Sequence, residues 1–445
     1  MHTFFGTDGI RGTVATNPYL SAPFLHRLGK SLAQWAQFNH GTMPAFVIGT
    51  DTRASAHTIF NALAYGIMKG GGICFNAGIT PTPALQHLVT KQSHYYHYGI
   101  MITASHNDAA DNGIKIITPQ GKLLISDQEV ITDLVAHTPS FSQCPATLTI
   151  PPIQAHHASS YLTHFATIFP ANMLAGMHIV LDCAQGATYR MAPMIFQSCG
   201  ARVTVIGNEP DGMNINGQWG STAPQNLRAM VIQTNADMGF AFDGDGDRVL
   251  AVNHQGEIFN GDDILALLTT HPRFAGQSTI VGTIMTNSGL TSWLHAHRKK
   301  LVRSAVGDAH VERVMRAHRA ELGGEPSGHI IIRSHLPTAD GIYAALYAAH
   351  TALITNNRRL KTFAHLAQAT VNLPTKQHQS LTEEPFVSII RAHEQTLLPG
   401  RSVVRYSGTE PVLRIMTEHP DQEVALQSSL TLAHQLEPYI HDLGA

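Results

Sequence analysis

Cysteine is scarce in this chain of 445 residues, and no two of its four cysteines form a C-x-x-C pair. Their wide spacing excludes a disulfide framework and a zinc knuckle and is typical of reduced thiols in a core. Charge is scarce too: charged residues make up 13% of the chain, the net charge is −2, and no run of five like charges occurs. Because binding to a nucleic-acid backbone needs a basic excess, we expect no nucleic-acid partner.

A long apolar run is also missing. The amino terminus reaches Asp8 and Arg11 at once, which leaves no room for the apolar core of a signal peptide, and no segment has the roughly 20 apolar residues of a membrane span. We therefore expect a cytoplasmic protein without a membrane partner. Histidine, in contrast, is abundant at 28 residues. None lies in an H-E-x-x-H arrangement, so we predict packing and surface roles for most of them.

Short apolar runs alternate with helix-like stretches along most of the chain, which is typical of α/β domains. The runs at 98–102 and 238–242 predict strands, and the pattern over 308–318 predicts a helix. The predicted fold class is α/β, with three tandem α/β domains that have mixed sheets, followed by a C-terminal α+β cap domain. The predicted domains are residues 1–152, 153–255, 256–369 and 370–445.

A serine follows the first of these strands, in the small turn Thr103-Ala104-Ser105-His106-Asn107. Ligands of open α/β sheets gather beyond the carboxyl ends of strands, so a reactant can reach Ser105 there. The turn is not a G-x-S-x-G elbow, which gives an acyl-transfer triad little support. Serines in turns more often cap helices or bind backbone amides, and Ser105 becomes a candidate through its context.

Three aspartates, Asp243, Asp245 and Asp247, alternate with glycines directly after the second of these strands. Glycine lets the backbone turn tightly enough for the carboxylates to converge, and oxygen ligands favour a hard cation such as Mg²⁺. An EF-hand is excluded because its sixth and twelfth positions are Arg248 and His254. A solvated acidic turn is the other alternative, but it does not explain three aspartates after a buried strand.

Ser105, the aspartate loop and Lys115 together suggest a serine oxygen that carries and passes on a phosphoryl group, with cations offsetting the charge. Without that context, Lys115 would be a surface lysine that ends a strand. Two more polar turns fit such a substrate. The turn 405–411 with Arg414 offers hydroxyls, amides and two arginines for a phosphate, although an ordinary hairpin would look similar. The loop 323–329 presents Glu325 and Ser327 at alternate positions, where they could bond vicinal sugar hydroxyls.

Five segments in order resemble the α-D-phosphohexomutase superfamily over the whole chain: 5–12, 103–107, 243–248, 324–329 and 405–411. The opening Phe-Gly-Thr-Asp-Gly-Ile-Arg-Gly and the Ser-Gly-Thr-Glu-Pro turn are most similar to its glucosamine-specific bacterial branch. The resemblance implies four domains arranged around a central active-site cleft. It also implies an isomerase of amino-sugar and cell-wall precursor biosynthesis, which interconverts glucosamine 6-phosphate and glucosamine 1-phosphate through phosphorylated Ser105.

The resemblance further implies one Mg²⁺ per active site and glucosamine 1,6-bisphosphate as intermediate and activator. A homodimer is one expectation for the assembly. The implied roles are catalysis by Ser105, Lys115 and Arg11; metal binding by Ser105, Asp243, Asp245 and Asp247; substrate binding by Glu325, Ser327, His329, Arg405, Ser407, Gly408, Thr409 and Arg414; and support by His106, Asn107, Arg53 and Arg248.

Three positions depart from the pattern of the superfamily. Asp108 stands where proline is usual and adds a negative charge near Ser105. Pro326 replaces a residue that is often polar or methionine, and Ala309 replaces a residue that is usually basic. These departures concern phosphate retention and sugar selectivity more than the reaction class. The alternatives are a mutase of glucose or mannose phosphates, a metal-dependent phosphatase in which water takes the phosphate, and a sugar-phosphate-binding regulator without turnover.

Overall fold

The computed structural model describes residues 4–6, 8–139, 152–153, 155–375, 379–407 and 411–441. Four sheets follow one another along these residues, and each defines one domain. The bounds of the elements in the first domain are β1 (Ile10–Thr13), α1 (Ala22–His40), β2 (Ala45–Thr50), α2 (Ala56–Lys69), β3 (Ile73–Ile79), α3 (Thr82–Lys91), β4 (Tyr98–Ile102), β5 (Asp111–Thr118), β6 (Gly121–Lys122) and α4 (Ile125–His137).

The first sheet is mixed and has the strand order β1-β5-β4-β2-β3, with β6 paired to β5. Strands β2, β3 and β4 are parallel, whereas β5 runs antiparallel to β1, β4 and β6. Every residue of β4 is buried, as expected for a central strand covered by helices on both faces. The carboxyl end of β4 carries the Ser105 turn, and the neighbouring β5 carries Lys115.

The second and third domains are also sheets covered by helices, and the loops that carry predicted site residues lie at their strand ends. The second sheet has the order β11-β10-β9-β7-β8, and the third has the order β13-β12-β14-β15. Their elements are α5 (Ala155–Ile168), β7 (His178–Asp182), α6 (Met191–Ser198), β8 (Arg202–Ile206), α7 (Gln225–Thr234), β9 (Met238–Phe242), β10 (Val249–Asn253), β11 (Ile258–Phe259), α8 (Gly261–Leu268), β12 (Thr279–Thr283), α9 (Ser288–Ala296), β13 (Lys300–Ser304), α10 (Asp308–His318), β14 (Leu322–Gly324), β15 (Ile330–Ile332) and α11 (Gly341–Ile354).

The fourth domain is a small antiparallel sheet covered by helices. Its order is β16-β18-β17. Its elements are β16 (Ala367–Pro374), α12 (Phe386–Thr396), β17 (Arg401–Tyr406), β18 (Val412–His419) and α13 (Gln422–His441). The predicted fold class, three α/β domains followed by a C-terminal α+β domain, is confirmed, and the four residue ranges given to the domains stay a prediction.

The second and third domains share one hydrophobic core, in which Phe240 of β9, Leu265 of α8 and Leu346 of α11 are all fully buried. Burying side chains of this size stabilises a fold by about 1.5–3 kcal/mol each. The first and fourth domains have separate clusters. The loops that follow β9 and β14 are therefore carried by one packed unit.

Two expectations from the sequence concern the cysteines and the length of apolar helices. Cys74, Cys183 and Cys199 are free and buried, as predicted for core thiols, while Cys144 lies outside the described residues. Among the helices that the structure describes, none is long and apolar enough to cross a membrane.

Histidines join three parts of the fold where α3, α5 and the segment before α11 meet. His164 Nε2 lies 3.3 Å from His335 Nδ1, and His335 Nε2 lies 2.7 Å from Asp340 Oδ2. The ring of His87 packs 4.6 Å from that of His164. Burial, followed by the neighbouring His164 and His335, lowers the pKa of His87 to about 3, and burial also lowers the pKa of His164 to about 4. This junction therefore favours the neutral imidazoles of His87 and His164.

Replacing His87 by leucine is expected to make stability less sensitive to acid. A folded-state pKa of about 3 against an ordinary value of 6.5 means that the unfolded chain binds the proton first. Stability is therefore complete above pH 6.5 and is lost as the pH falls. We expect the variant to remove a loss on the order of 2 kcal/mol between pH 6.5 and 4. Urea unfolding across this range measures it, and equal slopes for His87→Leu and the exposed control His295→Leu would contradict it.

Candidate active site

The Ser105 turn is held in a conformation that serine rarely adopts. Its φ is +51°, in the left-handed region, which costs about 1–2 kcal/mol for a residue with a Cβ atom. The Ser105 amide donates to Thr103 Oγ1 at 2.8 Å, and that hydroxyl donates to Asp51 Oδ2 at 2.7 Å. This geometry directs Ser105 Oγ away from its own strand and toward Asp243, to whose Oδ2 it donates at 2.7 Å.

The guanidinium group of Arg53 is buried next to this turn and binds it. Arg53 is 2% exposed, and its Nε donates to Asp51 Oδ2 at 2.9 Å. The remaining donors reach four backbone carbonyl groups of the turn and the segment after it: Ser105 at 3.1 Å, Asn107 at 2.7 Å, Asp111 at 2.9 Å, and Asp108 in a short contact. Arg53, predicted as a supporting residue, therefore fixes the backbone around Ser105.

Replacing Arg53 by methionine is expected to destabilise the protein by about 3–5 kcal/mol, the usual cost of removing one partner of a buried ion pair. Methionine keeps the apolar stem but removes the guanidinium donors to the Asp51 carboxylate and to the carbonyl groups of the turn. Urea unfolding gives the free energy. Arg228, an exposed arginine of α7, supplies the control Arg228→Met, and a loss no greater than that of the control would count against this role for Arg53.

Asn216 is a functional candidate that sequence reasoning missed. This second-domain residue is buried, has a φ of +59°, and donates from Nδ2 to the carbonyl oxygens of Ser105 and Asn107, both at 2.8 Å. The dipeptide Asn216-Gly217 is a turn signal that tolerates a positive φ, so the turn itself was readable. Its target was not, because more than a hundred residues separate the two segments.

The three aspartates converge as the sequence predicts. One carboxylate oxygen from each of Asp243, Asp245 and Asp247 lies within 4.8 Å of the other two, and all three residues are buried. Burial, and then the charges of Asp247 and Asp245, raise the pKa of Asp243 to about 7. Within the described chain, Asp245 Oδ1 is buried without a hydrogen-bond partner. An unpaired buried oxygen in an all-oxygen cluster fits a hard divalent cation as its missing partner.

Lys115 lies in the middle of β5 and is buried, so it is not the surface lysine of the alternative reading. Its Nζ is 2.7 Å from Asp245 Oδ2, 2.9 Å from Asp247 Oδ2 and 3.2 Å from Asp8 Oδ2. Burial acts against its charge, but these carboxylates outweigh burial and raise the pKa of Lys115 well above its ordinary value. The charged ammonium group therefore stands beside the cluster and donates hydrogen bonds to Asp245 and Asp247.

The loop 323–329, which is predicted to bind the sugar and is called the sugar loop below, contacts this cluster through His329. His329 Nε2 lies 2.9 Å from Asp247 Oδ1, and His329 Nδ1 lies 3.0 Å from Glu325 Oε2. Burial opposes the charge of the imidazole, but Asp247 raises the pKa of His329 to about 10. The other oxygen of Glu325 accepts the Gly307 amide at 2.8 Å. Ser327, in contrast, is exposed.

Arg405 and Arg414 face each other across the β17–β18 pair. Burial, followed by the charge of Arg414, lowers the pKa of Arg405, and Glu325 acts in the opposite direction. Like charges opposite each other are unfavourable in a sheet, so an anion between them would be stabilised. Ser407 is buried beside them and donates its amide to Val412. Gly408 and Thr409, also predicted to bind the substrate, lie outside the described residues.

The remaining predicted residues are His106, Asn107, Arg11 and Arg248, and each has a polar partner in the site. His106 Nδ1 lies 3.3 Å from Ser105 Oγ, and burial lowers the pKa of His106 to about 3. Asn107 donates to Asp111 at 2.8 Å, and Arg11 pairs with Asp8 at 3.1 Å. Arg248 donates its amide to Asp243 Oδ1 at 3.2 Å, which closes the aspartate loop.

The structure shows the surroundings of Asp108 and Ala309, two of the residues that depart from the pattern of the superfamily. The carbonyl group of Asp108 is one of the acceptors of Arg53. Ala309 lines a cavity of about 360 Å³ between the first and third domains, whose wall also includes Lys115, Lys122 and His310. Lys115 and Lys122 therefore still supply cationic groups to the wall that contains the small side chain of Ala309.

The fold and this site define a class of enzyme: the phosphohexomutases, isomerases that move a phosphoryl group between two positions of one sugar. Sequence profiles of all four domains of "Phosphoglucomutase/phosphomannomutase" match this chain, with domain I at residues 2–140, domain II at 159–256, domain III at 260–371 and the C-terminal domain at 354–429. The chain belongs to the phosphoglucomutase/phosphomannomutase family. The resemblance to the phosphohexomutases is thereby confirmed.

Two curated relatives are similar over almost their whole length. Phosphoglucosamine mutase of Syntrophus aciditrophicus (strain SB) is 36% identical over 442 residues, which cover 96% of this chain and 97% of that protein. Phosphoglucosamine mutase of Nitratidesulfovibrio vulgaris (strain DP4) is 38% identical over 445 residues, with the same two shares. This similarity makes the family assignment independent of the geometry described above.

Two solved structures have the same fold. A phosphoglucomutase/phosphomannomutase family protein from Burkholderia thailandensis gives a TM-score of 0.81 at 20% identity, over 99% of this chain and 98% of that one. N-acetylphosphoglucosamine mutase of Aspergillus fumigatus, in complex with GlcNAc-6P and magnesium, gives 0.67 at 15% identity, over 99% and 96%. At these identities the likeness concerns the fold alone.

Proposed function

We propose that this protein interconverts glucosamine 6-phosphate and glucosamine 1-phosphate through phosphorylated Ser105 and glucosamine 1,6-bisphosphate. The observation that carries the proposal is the approach of Ser105 Oγ to 2.7 Å from Asp243 Oδ2, inside a buried group of three carboxylates. The names of the two curated relatives, both phosphoglucosamine mutases, support the choice of sugar. Glucosamine 1,6-bisphosphate would also serve as the activator.

In the first half-reaction, the bond between phosphorus and Ser105 Oγ breaks as the 1-hydroxyl group of the sugar attacks the phosphorus. The hydroxyl proton leaves to a basic group, and the product is the 1,6-bisphosphate. After reorientation, Ser105 Oγ attacks the 6-phosphate, and the sugar 6-oxygen takes up a proton. Lys115, held between Asp245 and Asp247, is the proposed general acid and base: in each half-reaction its ammonium group gives a proton to the leaving oxygen and takes one back from the attacking hydroxyl group. Arg11 is proposed to assist near the phosphoserine.

Asp243, Asp245, Asp247 and the serine oxygen are the proposed ligands of one Mg²⁺ ion. Bound there, the cation supplies charge neutralisation for the phosphoryl group in transit. The unpaired Oδ1 of Asp245 supports this assignment. His106, Asn107, Arg53 and Arg248 are proposed to support the loops, in agreement with their contacts.

Reorientation requires one fixed phosphate grip and sugar contacts that serve both orientations. Arg405 and Arg414 are proposed to bind the non-reacting phosphate together with Ser407, while Gly408 and Thr409 stay predictions for the same role. Glu325 is proposed to read sugar hydroxyls, because a carboxylate that holds Gly307 and His329 still has lone pairs for further donors. Ser327 and His329 are proposed to act beside it.

Phosphorus NMR tests the proposal. Phosphorylated protein is mixed with Mg²⁺, a trace of sugar 1,6-bisphosphate, and glucosamine, glucose or mannose 6-phosphate in separate samples. We expect a growing sugar 1-phosphate signal that is fastest with glucosamine and is not accompanied by free phosphate. Faster turnover of glucose or mannose 6-phosphate would show that the proposed substrate is wrong. Steady release of inorganic phosphate would indicate a phosphatase, and binding without turnover of any sugar would indicate a regulator.

The cellular setting belongs to the same proposal. A sugar phosphate is a small, charged and water-soluble substrate, which suits a cytoplasmic enzyme in the synthesis of amino-sugar precursors. The homodimer and the absence of nucleic-acid and membrane partners stay predictions. Size-exclusion chromatography with light scattering would decide the assembly state.

A further inference from the structure

The hairpin β5–β6 brings a second lysine onto the face of the sheet that carries Lys115. Lys122 pairs with Ile117 in the register of this hairpin, and Ile117 lies two residues after Lys115. Cross-strand partners project to the same face of a sheet, and so do residues two apart in one strand. Lys115 and Lys122 therefore share a face and reach the same cavity between the first and third domains.

Lys122 joins two carboxylates that come from different domains. Its Nζ makes a short contact with Asp8 Oδ1 of the first domain and lies 2.5 Å from Asp308 Oδ1 of the third. Asp308 is the first residue of α10 and directly follows Gly307, whose amide is bound by Glu325. The ammonium group of Lys122 thus connects the amino-terminal segment with the edge of the sugar loop.

These contacts complete a ring of charged groups, of which Lys115, Asp8, Lys122, Asp308 and Asp247 line the cavity. Beginning at the serine-bearing domain, the order is Lys115, Asp8, Lys122, Asp308, then Glu325 by way of the Gly307 amide, His329, Asp247 and Lys115 again. Positive and negative groups alternate except where the Gly307 amide separates the two carboxylates. Three domains contribute to the ring, and Lys122 is the member that crosses from the first domain to the third.

The backbone of the same hairpin also contacts the third domain. Gly121 has a φ of +116°, and a Cβ atom added there would lie 3.4 Å from the carbonyl oxygen of Pro337. Arg316 of α10 lies 3.5 Å from the carbonyl oxygen of Gln120. The ion pair of Lys122 is therefore part of a contact surface between the hairpin tip and α10, rather than an isolated surface pair.

We propose that Lys122 is a positioning residue, which fixes the Glu325 loop relative to Lys115 by bridging Asp8 and Asp308 across the cavity. This inference rests on the proposed function, because it gives the bridge a purpose in catalysis. Lys122 itself touches neither Ser105 nor the three aspartates. It acts on the distance between the group that reads the sugar and the group that exchanges the proton.

The test uses the full chain with three substitutions. Lys122→Met removes the charge and keeps the apolar stem, Lys122→Arg keeps a cation that can span both carboxylates, and Lys300→Met is the control at an exposed lysine of β13. For Lys122→Met we expect kcat/KM for glucosamine 6-phosphate to fall by about 10- to 100-fold, with a rise in KM as well as a fall in kcat. Lys122→Arg should recover most of this loss, and the control should match the unmodified protein.

Hydrogen exchange separates this inference from the proposed function. We expect faster exchange of the amides at 305–310 in Lys122→Met, without substrate and at a temperature where the variant is folded. If the unmodified protein turns over no hexose phosphate, the proposed function fails, and the exchange data alone then decide whether Lys122 couples the two domains. Unchanged exchange at 305–310 would overturn the bridge.

If Lys122 only stabilised the fold, Lys122→Met would change a different set of measured quantities. It would lower the thermal midpoint and the active fraction, and hence kcat, but KM would stay constant. That result would overturn the positioning role. A double-mutant cycle with Asp308→Asn adds a check, because residues that act through each other are not additive. We expect Lys122→Met combined with Asp308→Asn to be no worse than the poorer single variant, and additive losses would count against the bridge.

Discussion

The Ser105→Ala variant is expected to lose at least about 10³-fold of mutase turnover, because removal of a nucleophile that acts in a covalent step abolishes that route. The hydroxyl also donates to Asp243, so its loss deprives the carboxylate cluster of one partner. Phosphorus NMR with glucosamine 6-phosphate measures turnover, and intact-mass spectrometry shows whether the variant still takes up phosphate. Ser21→Ala, at an exposed serine before α1, is the control.

A second substitution at the same position separates chemistry from folding. Ser105→Gly removes the hydroxyl and also the strain of a side chain at a φ of +51°. We therefore expect it to be as inactive as Ser105→Ala but more stable, by up to about 1 kcal/mol. Full turnover of either variant would exclude a phosphoserine at this position. Equal stability of the two would show that the turn bears no strain.

The strands and helices that the sequence predicts best are those with a clear period and a clear end. The predicted strands at 98–102 and 238–242 and the helix over 308–318 have the bounds of β4, β9 and α10. In each case an apolar or amphipathic pattern meets a turn with small or polar residues. Helix α1 is not among the elements that the sequence predicts, and packing of Leu28 and Leu32 in the folded protein buries one of its faces.

The site divides in the same way between local and long-range information. The aspartate loop could be read locally, because the chemistry of three alternating carboxylates is contained in six residues. Asn216 and Lys122 could not, since each acts on a segment of another domain. Lys115 stood between these cases: its residue type suggested a role beside a phosphate, but its burial depends on β5 lying next to β4 and β1.

The Asp243→Asn variant is expected to lose at least about 10²-fold of turnover and yet to be more stable than the unmodified protein in the absence of metal. Asparagine can keep the acceptor for the amides of Gly246 and Arg248. A folded-state pKa of about 7 against an ordinary 3.8 means that stability falls as the pH rises from 3.8 to 7. At pH 8 the amide avoids this cost, which we expect to be on the order of 2 kcal/mol.

Added Mg²⁺ should reverse this order of stability. A cation that binds only the folded state raises the free energy of unfolding with its concentration, and the intact carboxylate cluster should gain more than the variant. Asp262→Asn is the matched control, because burial raises the pKa of Asp262 to about 7 as well, although it lies on α8 outside the cluster. It should gain stability without losing turnover or its response to Mg²⁺. If Asp243→Asn responds to Mg²⁺ as strongly as the control does, Asp243 is not a metal ligand, and the cation must be held elsewhere.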